Sequence, residues 1–174
     1  MIAKKLTLPE NSNITECLPG WHYFDCYACE LPNLDGLNTE FCARRFLFTW
    51  PRWVRFLFAL RGILAKFLGL NHSDEVSTLN NLNKSSPARE GEMLSFFEVK
   101  QNQPSEMVLF AADSHLDAGL SFLLQHNDQK TVLYATTVVR FHKKRGRVYF
   151  FLIKPFHKLI MRQQLKAIQN FYSN

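Results

Sequence analysis

The sequence predicts an α+β domain, a helix-grip plan in which a curved antiparallel sheet wraps around a long C-terminal helix. Three observations carry that expectation. An aromatic strand pattern stands near the beginning, at Trp21–Leu31. Two helical periodicities follow it before residue 70. A run of strand patterns, parted by short turn signals, then leads into a closing amphipathic helix. The 174 residues suit a single domain (1–174) long enough to bury a core of its own.

The elements follow in order. Residues 1–19 form a polar lead-in with little periodicity. Trp21–Leu31 is dense in the aromatic side chains that favour a pleated, half-buried surface. Pro32-Asn33 and Asp35-Gly36 mark turns. Asn38-Thr39-Glu40 supplies N-cap chemistry for a helix through Phe48, with Asn38 or Thr39 as the cap. Pro51 restarts the chain as the first residue of a second helix. Trp53, Leu57, Leu60, Leu64 and Phe67 then recur at helical spacing up to Gly69. The stretch 71–91, rich in Asn and Ser, reads as a mobile loop, either a lid or slack.

Five strand patterns come next: Met93–Lys100, Glu106–Ala112, Leu116–His126, Thr131–His142 and Val148–Ile153. The last two read as a hairpin around a turn at Lys143-Lys144-Arg145-Gly146-Arg147. Pro155 is expected to open the terminal helix, with Ile160, Met161, Leu165, Ile168 and Tyr172 facing inward.

Composition narrows the function classes. Hydrophobic residues make up 47% and charged residues 21%, which excludes a disordered chain. Sixteen phenylalanines point to a large apolar interior or an apolar cavity. The net charge of +6 is modest, and the basic run His142–Arg147 reads as a solvated turn. Nucleic acid is therefore not expected as a partner. Cys17, Cys26, Cys29 and Cys42 have no signal peptide before them, so a reduced, cytoplasmic protein is expected. Cys26-Tyr27-Ala28-Cys29 has redox or zinc spacing, yet a strand would send the two thiols to opposite faces. Neither a metal nor another cofactor is expected.

Polar residues at strand ends supply the candidate site. In an extended segment Asp113, His115 and Asp117 share a face, which suits a metal site or a carboxylate–histidine base. The structural alternative is an Asx turn followed by an ion pair between Asp117 and Arg140 on a neighbouring strand, and it is the preferred reading. His157, placed in the first helical turn, is expected to be neutral there. Arg52, Arg55, Arg61 and Lys66 line one side of the second helix, a pattern that could lie on an anionic membrane. Packing of Trp53, Leu57 and Leu64 on the sheet accounts for that helix more simply. No P-loop, dinucleotide glycine motif, nucleophile elbow or zincin signature occurs.

Several motifs together resemble one bacterial family. They are Tyr23-Phe24-Asp25, Trp50-Pro51-Arg52-Trp53-Val54-Arg55 with Leu60-Arg61, His115-Leu116-Asp117, Thr136-Thr137-Val138-Val139-Arg140 and Lys154-Pro155-Phe156-His157. In that order, over roughly Trp21 to Ile168, they resemble the DUF2867 family, whose members have no established function. The resemblance implies a helix-grip (START/Bet v 1-like, SRPBCC) fold enclosing an apolar ligand, and by analogy an oxidoreductase-like partner domain. Members often carry Phe-Arg after His-Leu-Asp, where this chain has Ala118-Gly119.

Three functions follow in order of preference. The first is binding of a small apolar or amphipathic molecule between sheet and terminal helix, with His115, Asp117, Arg140, Phe156, His157 and Trp53 as candidate contacts. The second is a cyclase, hydrolase or isomerase using the same cavity, with His115, Asp117, Arg140 and His157 as its acid–base set. The third is a membrane-surface or partner-binding module built on the basic helix.

Overall fold

The computed structural model describes residues 6–34, 36–49, 53–54, 87–127 and 129–173. Its elements are α1 (Ile14–Cys17), β1 (Tyr23–Leu31), α2 (Thr39–Phe48), β2 (Met93–Leu94), β3 (Phe97–Asn102), β4 (Glu106–Ala112), β5 (Leu116–His126), β6 (Thr131–Phe141) and α3 (Lys144–Ser173). The strands form one antiparallel sheet in the order β1-β6-β5-β4-β3-β2. The sheet is open and curved, and the long terminal helix packs against it. Trp53 and Val54 are helical, but the rest of the expected second helix lies outside the described residues, as does 71–86 of the expected loop. Where the chain is described again, Ala88 is pinned: its amide donates to Glu40 Oε1 at 2.9 Å and its carbonyl accepts from Asn102 at 2.8 Å.

Strand alternation divides the side chains between two layers. Tyr27, Cys29 and Leu31 of β1 point to the same face as Leu133, Ala135, Leu120, Phe122, Leu124, Met107 and Leu109. Met161, Leu165 and Ile168 of α3, with Cys42, Ala43, Phe46 and Leu47 of α2, close over that face and complete the main core. Asn38 caps α2 by accepting from the Phe41 amide at 2.7 Å. On the other face the lead-in is more than a tail. Ile14 and Leu18 pack on Val108 and Val138, with Trp21 and Phe24 beside them.

Gly119 makes that second layer fit. A Cβ there would lie 2.9 Å from Val138 Cγ2 and 3.5 Å from Ile14. The small residue lets α1 seat on the sheet. Glu106, fully buried nearby, accepts from Ser12 Oγ and Ser121 Oγ at 2.5 Å each and from the Asn13 amide at 2.8 Å, tying the lead-in down.

The closing hairpin expected from sequence does not form. Val148–Ile153 is helical, β6 is the last strand, and α3 begins eleven residues before Pro155, at Lys144. The run Val148-Tyr149-Phe150-Phe151-Leu152-Ile153 has high strand propensity, and tertiary packing overrides it. Gly146, Tyr149 and Phe150 are buried while Arg147, Val148, Phe151 and Leu152 are exposed, a spacing of three and four that belongs to a helix. Gly146 is therefore not a turn residue. A Cβ there would meet the His115 carbonyl oxygen at 2.3 Å, so glycine allows the helix start to press onto the loop before β5. Pro155 sits inside the helix on its exposed side, leaving the Phe151 carbonyl without its intrahelical donor.

Candidate functional site

One end of the sheet carries the start of β1 and the end of β6, and the first turns of α3 cross it. His22, Tyr23, Phe141, Arg147, Phe150, Phe151 and Lys154 line an open cleft of about 340 Å³ there. The helical contributors recur at three to four residues, so one side of α3 faces the cleft. The walls are aromatic: Tyr23 lies 4.7 Å from Phe150, Phe150 5.5 Å from Phe141, and Phe141 5.7 Å from His22 between ring centroids. Two cations join them, with Lys154 Nζ 4.6 Å from the centre of the Tyr23 ring. The volume falls at the small end of the range that holds a small molecule.

Beneath Tyr23 lies a carboxylate with no solvent exposure, Asp25. Tyr23 Oη donates to Asp25 Oδ2 at 2.7 Å, and His157 Nε2 donates to Asp25 Oδ1 at 3.2 Å. Burial pushes the Asp25 pKa up, but the hydrogen bond and charge of His157, the Tyr23 hydroxyl and the charge of Lys158 together outweigh it, and the net shift is downward. Burial, then the hydrogen bond to Asp25 and its charge, push the Tyr23 phenol well above its ordinary value. Tyr23 thus stays a donor. His157 lies well inside α3 rather than in its first turn, and its ring meets the Asp25 carboxylate.

A second polar cluster occupies the opposite face. Asp117 and Arg140 stand directly across from each other in the β5–β6 register. Arg140 Nη2 and Nε donate to Asp117 Oδ2 at 2.7 and 3.2 Å, and Nη1 donates to the Pro19 carbonyl at 3.3 Å. His142 Nε2 lies 2.9 Å from Asp117 Oδ1. The Asp117 side chain is 6% exposed, whereas those of Arg140 and His142 are 36% and 37% exposed. His115 is buried edge-on against Tyr149 at 5.0 Å, with Nδ1 3.1 Å from Asp113 Oδ1.

The four residues of the expected acid–base set therefore do not share one pocket. Asp117 pairs with Arg140 on the α1 side of the sheet, His157 joins Asp25 on the α3 side, and His115 packs under the start of α3. Phe156 is exposed on the outer side of α3, and Trp53 is half-buried beside undescribed residues. The residues that do line the cleft, His22, Tyr23, Phe141, Arg147, Phe150, Phe151 and Lys154, are not among the contacts expected from sequence, although Tyr23 and Lys154 stand in motifs that carry the resemblance. Reading 148–153 as a strand put its side chains on the wrong faces. A usable signal was present in Asp25, a lone charge on the inward parity of an aromatic strand.

The four cysteines are free thiols. Cys26 accepts from Thr136 Oγ1 at 3.2 Å on one face, while Cys29 packs with Cys42 in the main core on the other. Burial pushes the Cys29 and Cys42 pKa values up to about 12, the protonated and unreactive state. Among the described residues, no three His, Cys, Asp or Glu side chains gather as a metal-holding group. No helix among them is long and apolar enough to cross a membrane.

Fold and cleft together define a sheet-and-helix α+β domain with an aromatic, cation-bearing recess where sheet and terminal helix meet. The family model DUF2867, described as a protein of unknown function, matches residues 17–164, and the chain belongs to that family. Comparison with curated proteins and with solved structures gave no match.

Proposed function

We propose that the protein binds a small amphipathic molecule in the cleft between the sheet end and α3, with an apolar body against Phe141, Phe150 and Phe151 and an anionic group held by Arg147 and Lys154. The observation that carries this reading is the pairing of an aromatic wall with two cations, with no acidic residue among the described residues that line the cleft. Asp25 beneath them is already hydrogen-bonded to His157 and Tyr23. The strand order, closed on one face by a long terminal helix, supports placing the chain in the START/Bet v 1-like helix-grip superfamily. A reduced cytoplasmic setting and an oxidoreductase-like partner domain belong to the same proposal.

Acid–base catalysis is the weaker reading of this cleft. Tyr23 reaches the cleft, but its one hydroxyl proton is already given to Asp25 and its pKa is raised, so it neither takes a proton from a ligand nor has one free to give.

Titration calorimetry with decanoate and decanol tests the binding reading. Decanoate is expected to bind, and Lys154→Met and Arg147→Met to weaken it by about tenfold each, the scale of one charge-assisted contact. Decanol affinity should barely change between the variants. No binding of either probe, or equal decanoate binding by all three proteins, contradicts the reading.

A further inference from the structure

The outer side of α3 carries an apolar stripe that packs against nothing among the described residues. Val148, Phe151, Leu152, Phe156 and Leu159 are 41–74% exposed, with Phe151 the most exposed at 74%. Together with the exposed Pro155 they recur at three- and four-residue steps, so they form one continuous face about 17 Å long. An isolated exposed leucine needs no explanation, but five large apolar side chains in line mark a contact surface.

The charge around the stripe indicates what covers it. From Lys144 to Ser173 the helix contains no Asp or Glu. Lys144 and Arg145 precede the stripe and Arg162 and Lys166 follow it, all four exposed. Arg147, Lys154 and Lys158 run along its flank. A second copy of this helix would set like charges against each other. An anionic bilayer would receive the apolar side chains below its headgroups while the flanking cations meet lipid phosphates.

We propose that the protein docks peripherally on anionic phospholipid membranes through the outer face of α3, lying along the interface. The proposal stands apart from the binding reading of the cleft: Leu152 and Leu159 lie in the stripe and do not line that recess.

Co-sedimentation of the full chain with large unilamellar vesicles tests it. Vesicles of phosphatidylcholine with 30% phosphatidylglycerol (roughly the anionic content of a charged leaflet) are compared with pure phosphatidylcholine. The wild-type protein is expected to pellet with the anionic vesicles and to be released by raised salt, since the attraction is screened within a Debye length. Leu152→Glu/Leu159→Glu and Arg145→Glu/Lys166→Glu should each lower partitioning by about tenfold or more. Both pairs are solvent-exposed, so unchanged circular dichroism and an unchanged thermal midpoint are expected. Decanoate binding should persist in both. Wild-type protein staying in the supernatant, or variants pelleting as it does, overturns the proposal. It is equally overturned if size-exclusion chromatography shows a wild-type dimer that the leucine pair converts to monomer, which would make the stripe a self-interface.

Discussion

Asp117 and Asp25 are both buried carboxylates, and their surroundings give them different work. Asp117 holds together the rim of the sheet, taking Arg140 from the adjacent strand and His142 from beyond its end. Removing the carboxylate leaves Arg140 bonded to Pro19 and partly solvated, so the penalty is smaller than for a fully buried pair. Asp117→Ala should cost about 1–3 kcal/mol in chemical denaturation. It should leave decanoate affinity unchanged, because the pair faces away from the cleft. Asp25 instead ties β1 to α3. Its native pKa is lowered from 3.8, so its ionisation stabilises the fold at pH values above that figure. The contribution fades as pH falls below 3.8 and through the lower native value. Asp25→Asn should therefore be less stable than wild type at neutral pH, and the gap measured by urea denaturation should narrow under acid. A constant gap across that window contradicts the assignment.

At the scale of elements, the main lesson comes from α3. The N-terminal half of this helix is written in residues that favour strands, and only its burial pattern reveals a helix. Local propensity pointed to a hairpin, and Pro155 and Gly146 were both plausible punctuation for it. What decided otherwise is long-range: Tyr149 and Phe150 pack on the sheet end and on the loop holding His115, contacts between residues far apart in sequence. Elements with a clean period and their own punctuation were legible. β4 and β5 match their expected spans residue for residue, and Asn38 caps α2 as its side chain suggests. The Asp117–Arg140 pairing needed only the antiparallel register of two such strands. The cleft was not legible, because its residues share a surface only once α3 is known to be helical from Lys144.

Pro155 offers a direct check on that helix. In a helix starting at Lys144, Pro155→Ala supplies a donor to the Phe151 carbonyl on the exposed side and relieves a ring clash. It should raise stability by about 1–3 kcal/mol in thermal or urea unfolding. In a helix that opened at Pro155, the same change would remove a favourable first residue and lower stability. The sign of the effect separates the two structures.

Across the whole molecule, the two layers divide the labour. α1 and the lead-in seal one face of the sheet through Ile14, Leu18 and the buried Glu106. α2 and α3 seal the other, leaving the recess at the end where α3 crosses β1 and β6. That recess opens beside the helix face bearing the apolar stripe, and Phe151 belongs to both. In the docked state we propose, the recess lies beside the bilayer, a route by which an amphipathic ligand exchanges with it.

The central claim is that the end of the sheet, not its packed middle, holds the ligand. Amide chemical shifts of the isotope-labelled protein during decanoate titration test this most directly. The largest changes are expected at His22, Tyr23, Phe141 and Phe150 to Lys154, with Leu120, Leu124 and Leu165 in the core little affected. Shifts centred on the core residues, or no saturable shifts at all, would contradict it.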